Sequence, residues 1–285
     1  MSDNMSRRSF VQLAGAAVAG AAVLHGAPLA AAGEFTGKIK KAVKYAMIAG
    51  DASPAEKLAM LKEIGYDGVE IGVRDKVDRD EVLAASQSTG LPIHGVINGS
   101  VDDIPGAIDL AKFYGATSVL LVAGRVSEDM PYARNYEETQ AIVREAIPYA
   151  EERQIMLLVE NVWNYFLITP LEMARYIDEL ESDWVNVYFD VGNVARFGWP
   201  EHWVPVLGDR IKKLDIKEYS RTKRDEEGPW KGFNVEIGDG EIDWAAVRKE
   251  LTAINYSGWA TAEVGGGDRA RLADIAKRMD RVLDI

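Results

Sequence analysis

The sequence predicts an α/β protein, a single (β/α)8 barrel, and three observations lead there. Short apolar runs alternate strictly with amphipathic stretches, eight of each, from Ala42 to the end of the chain. Runs such as Val119-Leu120-Leu121-Val122 are apolar on both faces, as parallel strands covered by helices must be. The chain has 285 residues, and such barrels typically need ~250. A doubly wound open sheet is the alternative, but no G-x-G-x-x-G follows the first run.

The elements follow in order. Ala42–Ile48 is the first expected strand, and Pro54 opens a helix to Ile64 whose Leu58, Leu61 and Ile64 share a face. Gly65-Tyr66-Asp67-Gly68 turns into a strand at Val69-Glu70-Ile71. The spacing then predicts a helix over 79–88 stopping at Gly90, a strand over 92–97, and a helix over 104–114 stopping at Gly115. A strand over 118–123 precedes a long helix over 136–153. Strands over 155–160 and 185–191 flank a helix over 170–180, and a short helix over 201–207 leads into the strand 211–216. A long polar loop, Tyr219–Glu241, comes before a helix N-capped by Asp243. A strand over 259–264 and a helix over 269–283 close the domain, placed at 38–285. The charged stretch Arg221–Glu227 reads as plain surface loop. Gly265-Gly266-Gly267 reads as a place where backbone approaches a ligand or a lid moves.

The N-terminus is excluded from the fold. Ser6-Arg7-Arg8-Ser9-Phe10-Val11, an Ala/Gly/Val run to Leu24, and Ala30-Ala31-Ala32 resemble a twin-arginine signal peptide over residues 1–32. The competing reading is a presequence of another type or a chance basic start. The apolar run is too short and too rich in Ala and Gly for a stable membrane span. The expected location is the periplasm or beyond. The twin-arginine route carries folded proteins, so a metal could be loaded before release.

Composition narrows the partners. With 33 Lys and Arg against 45 Asp and Glu, the formal net charge is −12. Such a surface repels phosphate backbones, which argues against nucleic acid and anionic membranes. A small carbohydrate, neutral or bound through a metal, fits better; a homo-oligomer is compatible with the sequence. The absence of cysteine excludes disulfides, thiolate metal sites and a cysteine nucleophile.

Chemistry in a barrel gathers at the C-terminal strand ends. Each of the last four strands ends in or passes through an acid: Glu160, Asp190, Asp215 and Glu263. A carboxylate there is costly unless paired or bound to a cation. Four converging on one rim predict a divalent metal, Mn2+ or Mg2+ before Zn2+ because every donor is oxygen. The bland alternative is a ring of separate pairs with Arg or Lys.

At these residues the chain resembles a known family. "LLVENVWN" (157–164), "VYFDVGN" (187–193), "IKKLDIKEY" (211–219), "VEIGDGEIDW" (235–244) and "YSGWATAEV" (256–264) are similar to the xylose-isomerase-like sugar phosphate isomerase/epimerase family, over roughly residues 40–285. The resemblance implies a divalent ion, often Mn2+ with Mg2+ or Co2+ as alternatives, held by Glu160, Asp190, the strand-seven ligand and Glu263. It also implies that Glu160 and Glu263 exchange a proton on opposite faces of a carbon beside a carbonyl, through an enediolate. One position departs: the family usually has His on strand seven in H-x-K-D/E, and here Asp215 stands there, which puts metal identity and catalytic competence in doubt.

Around the rim, Trp163, Trp199 and Trp230 are candidates for stacking on sugar faces, although each is also a credible packing residue. Trp184, Trp203, Trp244 and Trp259 fit packing better. His94 is either a core histidine or a substrate contact, Glu70 a cross-barrel ion pair or a substrate contact. Asn193 is placed to orient a ligand; Lys217 either reaches substrate or neutralises Glu218. Arg221 is a substrate candidate, though Lys223 and Arg224 beside it suggest a solvated charge cluster. His202 reads as a helix-start residue, and neither histidine has a serine-triad partner.

For function, an exported enzyme without a G-x-x-x-x-G-K-S/T motif points to a non-phosphorylated keto-sugar, isomerised or epimerised by proton transfer. Two alternatives stay open. The same groups acting on a 3-keto-glycoside would expel its aglycone in a lyase reaction, and a barrel silenced at Asp215 would only bind sugar. Cutting of DNA at abasic sites, known for a related barrel family, is disfavoured by the acidic surface and the scarcity of histidine.

Overall fold

The computed structural model describes residues 32–285, so the leader expected over 1–32 lies, but for its last residue, outside the described residues. Residues 33–285 form one compact unit built on a closed eight-stranded parallel barrel in sequential order, β1 pairing with β8. The chain runs β1 (Ile39–Lys44), α1 (Pro54–Glu63), β2 (Gly68–Gly72), α2 (Arg79–Thr89), β3 (Ile93–Ile97), α3 (Ile104–Tyr114), β4 (Ser118–Leu121) and α4 (Tyr132–Arg153). It continues β5 (Met156–Glu160), α5 (Pro170–Asp178), β6 (Val185–Asp190), α6 (Val191–Ala195), α7 (Pro200–Leu207), β7 (Ile211–Ile216), α8 (Arg221–Glu227), α9 (Trp244–Ala253), β8 (Gly258–Ala262) and α10 (Arg269–Leu283). No helix of the described residues is long and apolar enough to cross a membrane.

Local signals placed most helix ends. Ser53 caps α1 in a reciprocal box with Glu56, ahead of Pro54 at the first turn. Asp243 caps α9 by accepting from the Ala246 amide at 2.9 Å, and α2 and α3 stop at Gly90 and Gly115 as the spacing predicts. The long helix α4 begins a turn earlier than its apolar period, directly after Pro131. The stretch 221–227, expected as loop, is helical because the Ser220 hydroxyl accepts from the Lys223 amide at 3.1 Å.

The first strand is the main correction. It spans Ile39–Lys44 rather than 42–48, and Tyr45–Met47 form a 3-10 turn at the barrel mouth. The apolar run misplaced it because lysines inside a strand look foreign to a buried sheet. Here each buried lysine has a partner. Lys41 faces the helices, paired with Asp280 and lying over the Tyr66 ring, while Lys44 faces the interior and meets Asp215. The glycine run 265–267 is also explained by the seam. A Cβ on Gly266 would come within 2.0 Å of the Met47 carbonyl oxygen, and the Gly267 amide donates to that oxygen at 3.0 Å. The backbone approaches backbone there.

Two cores result. The large one lies between strands and helices; a small one inside the barrel holds Leu120, Leu158 and Tyr188. The rest of the barrel interior is polar. The Tyr188 hydroxyl bonds Glu70 at 2.8 Å and Thr261 at 2.9 Å, and the Lys213 ammonium donates to the His94 carbonyl oxygen at 2.7 Å. Gly95 makes room for this network, since a Cβ there would meet Glu70 Oε1 at 2.3 Å and Lys213 Nζ at 2.8 Å.

The connection from β7 to β8 forms one wall of the mouth. Its anchor is Glu218, which is buried and accepts from the Gly238 amide at 2.7 Å, the Trp244 indole at 2.8 Å and the Ile242 amide at 3.2 Å. A second tie runs from the Ser220 hydroxyl to Glu241 at 2.9 Å. Glu218→Ala strands those donors, so it should lower unfolding free energy by about 2–4 kcal/mol. Urea denaturation checks this, with hydrogen exchange rising first in residues 219–242. An unchanged midpoint would show that the anchor carries no stability.

Candidate metal centre

Four strands deliver the acids predicted at the rim. Glu160 and Asp190 end β5 and β6, Asp215 lies one residue from the end of β7, and Glu263 follows the last residue of β8. One oxygen of each lies within 4.8 Å of the others. The parallel register makes this convergence, pairing Asp190 with Asp215 and Asp215 with Thr261.

Two lysines enter the cluster. Lys44 Nζ lies 2.9 Å from both Asp215 Oδ2 and Glu263 Oε2. Lys217 Nζ lies 2.7 Å from Asp190 Oδ2 and 2.8 Å from Glu263 Oε2. Lys217 therefore does not neutralise Glu218, whose oxygens are taken by amide and indole donors. The acids form one cluster, as the convergence of the strand ends predicts, and not a ring of separate pairs; the two lysines inside it were not anticipated in that position.

The charges respond to burial and to each other. Burial, joined by the Glu263 charge, pushes Glu160 well above the ordinary carboxylate range. Asp215 is raised by burial against the pull of Lys44, and Asp190 by burial against the pull of Lys217. Glu263 goes the other way: burial works to raise it, but Lys217 and Lys44 together hold it at about 2. Its side chain is also 36% exposed. The two glutamates are thus unlike.

Hydrogen bonds fix the acids further. The Asn193 amide group donates to Asp190 Oδ2 at 2.8 Å, and its backbone N–H to Asp190 Oδ1 at 2.7 Å, which makes Asp190 the cap of α6. Asn161 clasps β5 to β6, donating to the Asp190 carbonyl oxygen and accepting from the Asp190 N–H, both at 2.8 Å. Asp215 Oδ1 is buried without a partner. An oxygen in that state costs ~1–3 kcal/mol. Two ammoniums against four carboxylates also leave the cluster short by the charge of one divalent cation. The all-oxygen donor set fits a hard divalent ion, so these residues could hold one.

The cavity above the cluster has two chambers sharing a wall of Asn193, Lys217, Trp230 and Glu263. One, of about 400 Å³, reaches Glu160 and is bounded by Arg125 and Trp163. The other, of about 510 Å³, is bounded by Phe233, Val235, Glu236 and Arg271. Trp230 is 69% exposed. Trp163 supports it, with ring centroids 4.5 Å apart, while its own indole N–H donates to the Asn193 carbonyl oxygen at 2.9 Å.

Four other candidates sit elsewhere and line neither chamber. Glu70 and His94 are in the polar barrel interior; burial and the nearby Lys213 charge hold the His94 imidazole well below its usual range, and it stacks on Trp259 at 4.1 Å. Trp199 begins α7 and is covered by the Arg221 guanidinium at 5.4 Å. Arg221 donates to the Gly198 and Glu241 carbonyl oxygens, tying the loop wall to the barrel rather than reaching the cavity. Sequence reasoning missed Lys44, whose only signal was a lysine interrupting an apolar run. It also missed Asn161, which was legible inside the "ENVWN" string.

Residues 58–283 match the family model described as xylose isomerase-like TIM barrel, and the chain belongs to that family. L-ribulose-5-phosphate 3-epimerase UlaE of Escherichia coli strain K12 is 25% identical over 262 residues, covering 78% of this chain and 88% of that protein. Among solved structures, an L-ribulose 3-epimerase superposes with a TM-score of 0.71 at 16% identity, covering 86% of this chain and 95% of the other. The 3-keto-D-glucoside 4-epimerase YcjR from Escherichia coli gives 0.67 at 18% identity, covering 86% and 99%. At these identities the structural matches speak for the fold alone.

The position of Lys44 makes a measurable prediction. An ammonium touching two of the four acids opposes a second cation by several kcal/mol, since unit charges ~4 Å apart interact by ~4 kcal/mol near a protein surface. Lys44→Met keeps the volume and removes the charge. Titration calorimetry should show Mn2+ binding at least about tenfold tighter than in the wild type, roughly 1.4 kcal/mol. Equal or weaker binding would remove Lys44 from any part in metal affinity.

Proposed function

We propose that this barrel is a divalent-metal-dependent sugar isomerase or epimerase acting on a non-phosphorylated keto-sugar. The observation that carries the reading is that Glu160 and Glu263, on different strands, open together on one chamber with oxygens within 4.8 Å of each other. Inverting a carbon beside a carbonyl by proton transfer uses two such groups, one for each face, and a 1,2-isomerisation uses one of them. The relative named as an L-ribulose-5-phosphate 3-epimerase supports the reaction class.

A divalent ion at the four acids, Mn2+ by the family resemblance and with oxygen donors that also suit Mg2+, would polarise the sugar carbonyl and acidify the adjacent carbon. The protein's own residues do the rest. Glu263 is ionised but held by two ammoniums, and a carboxylate at about 2 is a weak base. It becomes a competent one when substrate draws Lys217, which lines both chambers, toward a sugar oxygen. Glu160 then faces the same carbon from the other side. Asn193 and Asn161 keep Asp190 in place through the cycle. Of the three arginines and lysines that line the chambers, Lys217 and Arg271 are paired with carboxylates, whereas Arg125 lies over the Tyr165 ring without an ion pair, so the choice of an uncharged sugar rests on the expected export of the protein.

Glu263→Gln tests the roles. With Mn2+ and a panel of keto-sugars in D2O, the wild type should incorporate deuterium at carbon, and the variant should lose at least ~10²-fold in rate with its thermal midpoint nearly unchanged. A variant that exchanges at the wild-type rate would end the assignment.

We further propose that the protein works outside the cytoplasm, on the strength of Arg7-Arg8 and the small-residue stretch to Ala32. Replacing Arg7 and Arg8 by Lys should leave uncleaved precursor inside the cell, measured by fractionation and N-terminal sequencing. Export unaffected by that change would discard the route.

A further inference from the structure

The 3-10 turn after β1 borders a separate cavity, set between the starts of α1 and α2. It encloses about 440 Å³ and shares no lining residue with either chamber of the mouth. Sites for small ligands run ~300–1,000 Å³, so this one has the size for a ligand of its own. Tyr45 lines it and is only 6% exposed, yet its hydroxyl has no hydrogen-bond partner among the described residues. A tyrosine buried to that degree usually finds a partner for its O–H. The cavity is where such a partner would sit.

Charges of both signs line the same cavity and stay apart. Lys57, Lys76, Asp75, Asp78 and Glu81 all border it, and none of the five forms an ion pair among the described residues. Asp78 is taken up as the cap of α2, accepting from the Asp80 and Glu81 amides at 3.0 Å each. Asp75 accepts from the Gly72 amide with one oxygen at 2.8 Å. Its other oxygen, the Glu81 carboxylate and both ammoniums bond no described residue.

The two signs also have different places. The Lys57 ammonium lies over the Tyr45 ring, 5.6 Å from its centroid. The carboxylates act at the hydroxyl end: burial raises the Tyr45 hydroxyl above its ordinary range, and the charges of Asp75 and Glu81 raise it further. Ile48, Pro54 and Val77 supply apolar lining. A ligand with a single charge would meet its own sign somewhere in this cavity, whereas a ligand carrying both signs finds a counterpart for each. The walls are held in place beforehand, by the Ser53–Glu56 box at the start of α1, the Ile48–Gly267 bridge and the Gly72–Asp75 bond. Such order reduces the cost of binding.

We propose that this cavity binds a small zwitterion of the amino-acid class, its ammonium at Tyr45, Asp75 and Glu81 and its carboxylate toward Lys57 and Lys76. The site stands apart from the four acids and does not depend on the sugar reading.

The experiment is ligand-observed NMR and calorimetry on the purified protein at neutral pH. Glycine, β-alanine and γ-aminobutyrate serve as probes, because the separation of their charges increases in that order; propylamine and propionate are the single-charge controls. At least one zwitterion should bind about tenfold or more tighter than either control. Asp75→Asn keeps an acceptor for the Gly72 amide and removes the charge, and Lys57→Gln removes the opposite charge. Each should weaken that zwitterion at least about tenfold, and Tyr45→Phe at least about threefold. Glu81→Gln, at an exposed helix position, covers the case in which the others unfold and should also weaken it about threefold. Absence of zwitterion binding, binding no tighter than that of the controls, or an affinity that every folded variant leaves unchanged would overturn the site.

Discussion

The mouth of this barrel depends on one electrostatic constraint: four carboxylates brought together by β5 to β8 must be neutralised where water is scarce. Burial alone would push all of them toward protonation. Lys44 and Lys217 divide the cluster, holding Glu263 ionised while Glu160 and Asp215 are left raised. The aspartate on β7 makes sense only together with Lys44, which lies 2.9 Å from it. An acid there without that lysine would add a fourth charge to a rim already in excess. The two residues form a unit, one supplying the donor and the other offsetting its charge.

Below the cluster the barrel is filled in an unusual way for a packed interior. Tyr188 bonds Glu70 and Thr261, and Lys213 reaches His94, so hydrogen bonds do part of the work that branched aliphatic layers do elsewhere. Burial lowers the Lys213 ammonium to about 8. Such a network is costly if any member is lost, because its partners have no water to turn to. It also makes the floor under the four acids stiff, which keeps their oxygens within a narrow compass. The walls differ in kind. They come from loops, above all the β7–β8 connection, and that connection is rigid only because the Glu218 carboxylate gathers its amides. Floor and wall are thus built by different means, the one by the barrel's own strands and the other by a buried anchor beside them.

Much of this was legible in the residues. Strict alternation and apolar strands specified the barrel, because each run had to be buried on both faces. Asp243, Pro54, Gly90 and Gly115 marked helix ends through local hydrogen bonding and local backbone geometry. The four acids stood out because a charge closing an apolar strand has few explanations. Other features were misread for a common reason. Periodicity reports which residues are buried among apolar neighbours, so it slid β1 to 42–48 and left 221–227 as loop. Trp199 and Arg221 looked like rim residues by position, yet each covers the other. The Lys217 side chain was left open between the substrate and its neighbour Glu218, and in the fold it turns to Asp190 and Glu263.

What the sequence by itself determined was the architecture and the identity of the acids, since strand ends and helix caps are set by residues a few positions apart. Only the tertiary structure decided how those acids are charged. Lys44 is 171 positions from Asp215 along the chain, and no local pattern links them. They meet because β1 closes the barrel beside β8, which sets Lys44 and Glu263 at one seam with Asp215 across it. Closure brings the first strand's lysine to the last strands' carboxylates, and with it the charge balance on which the site turns.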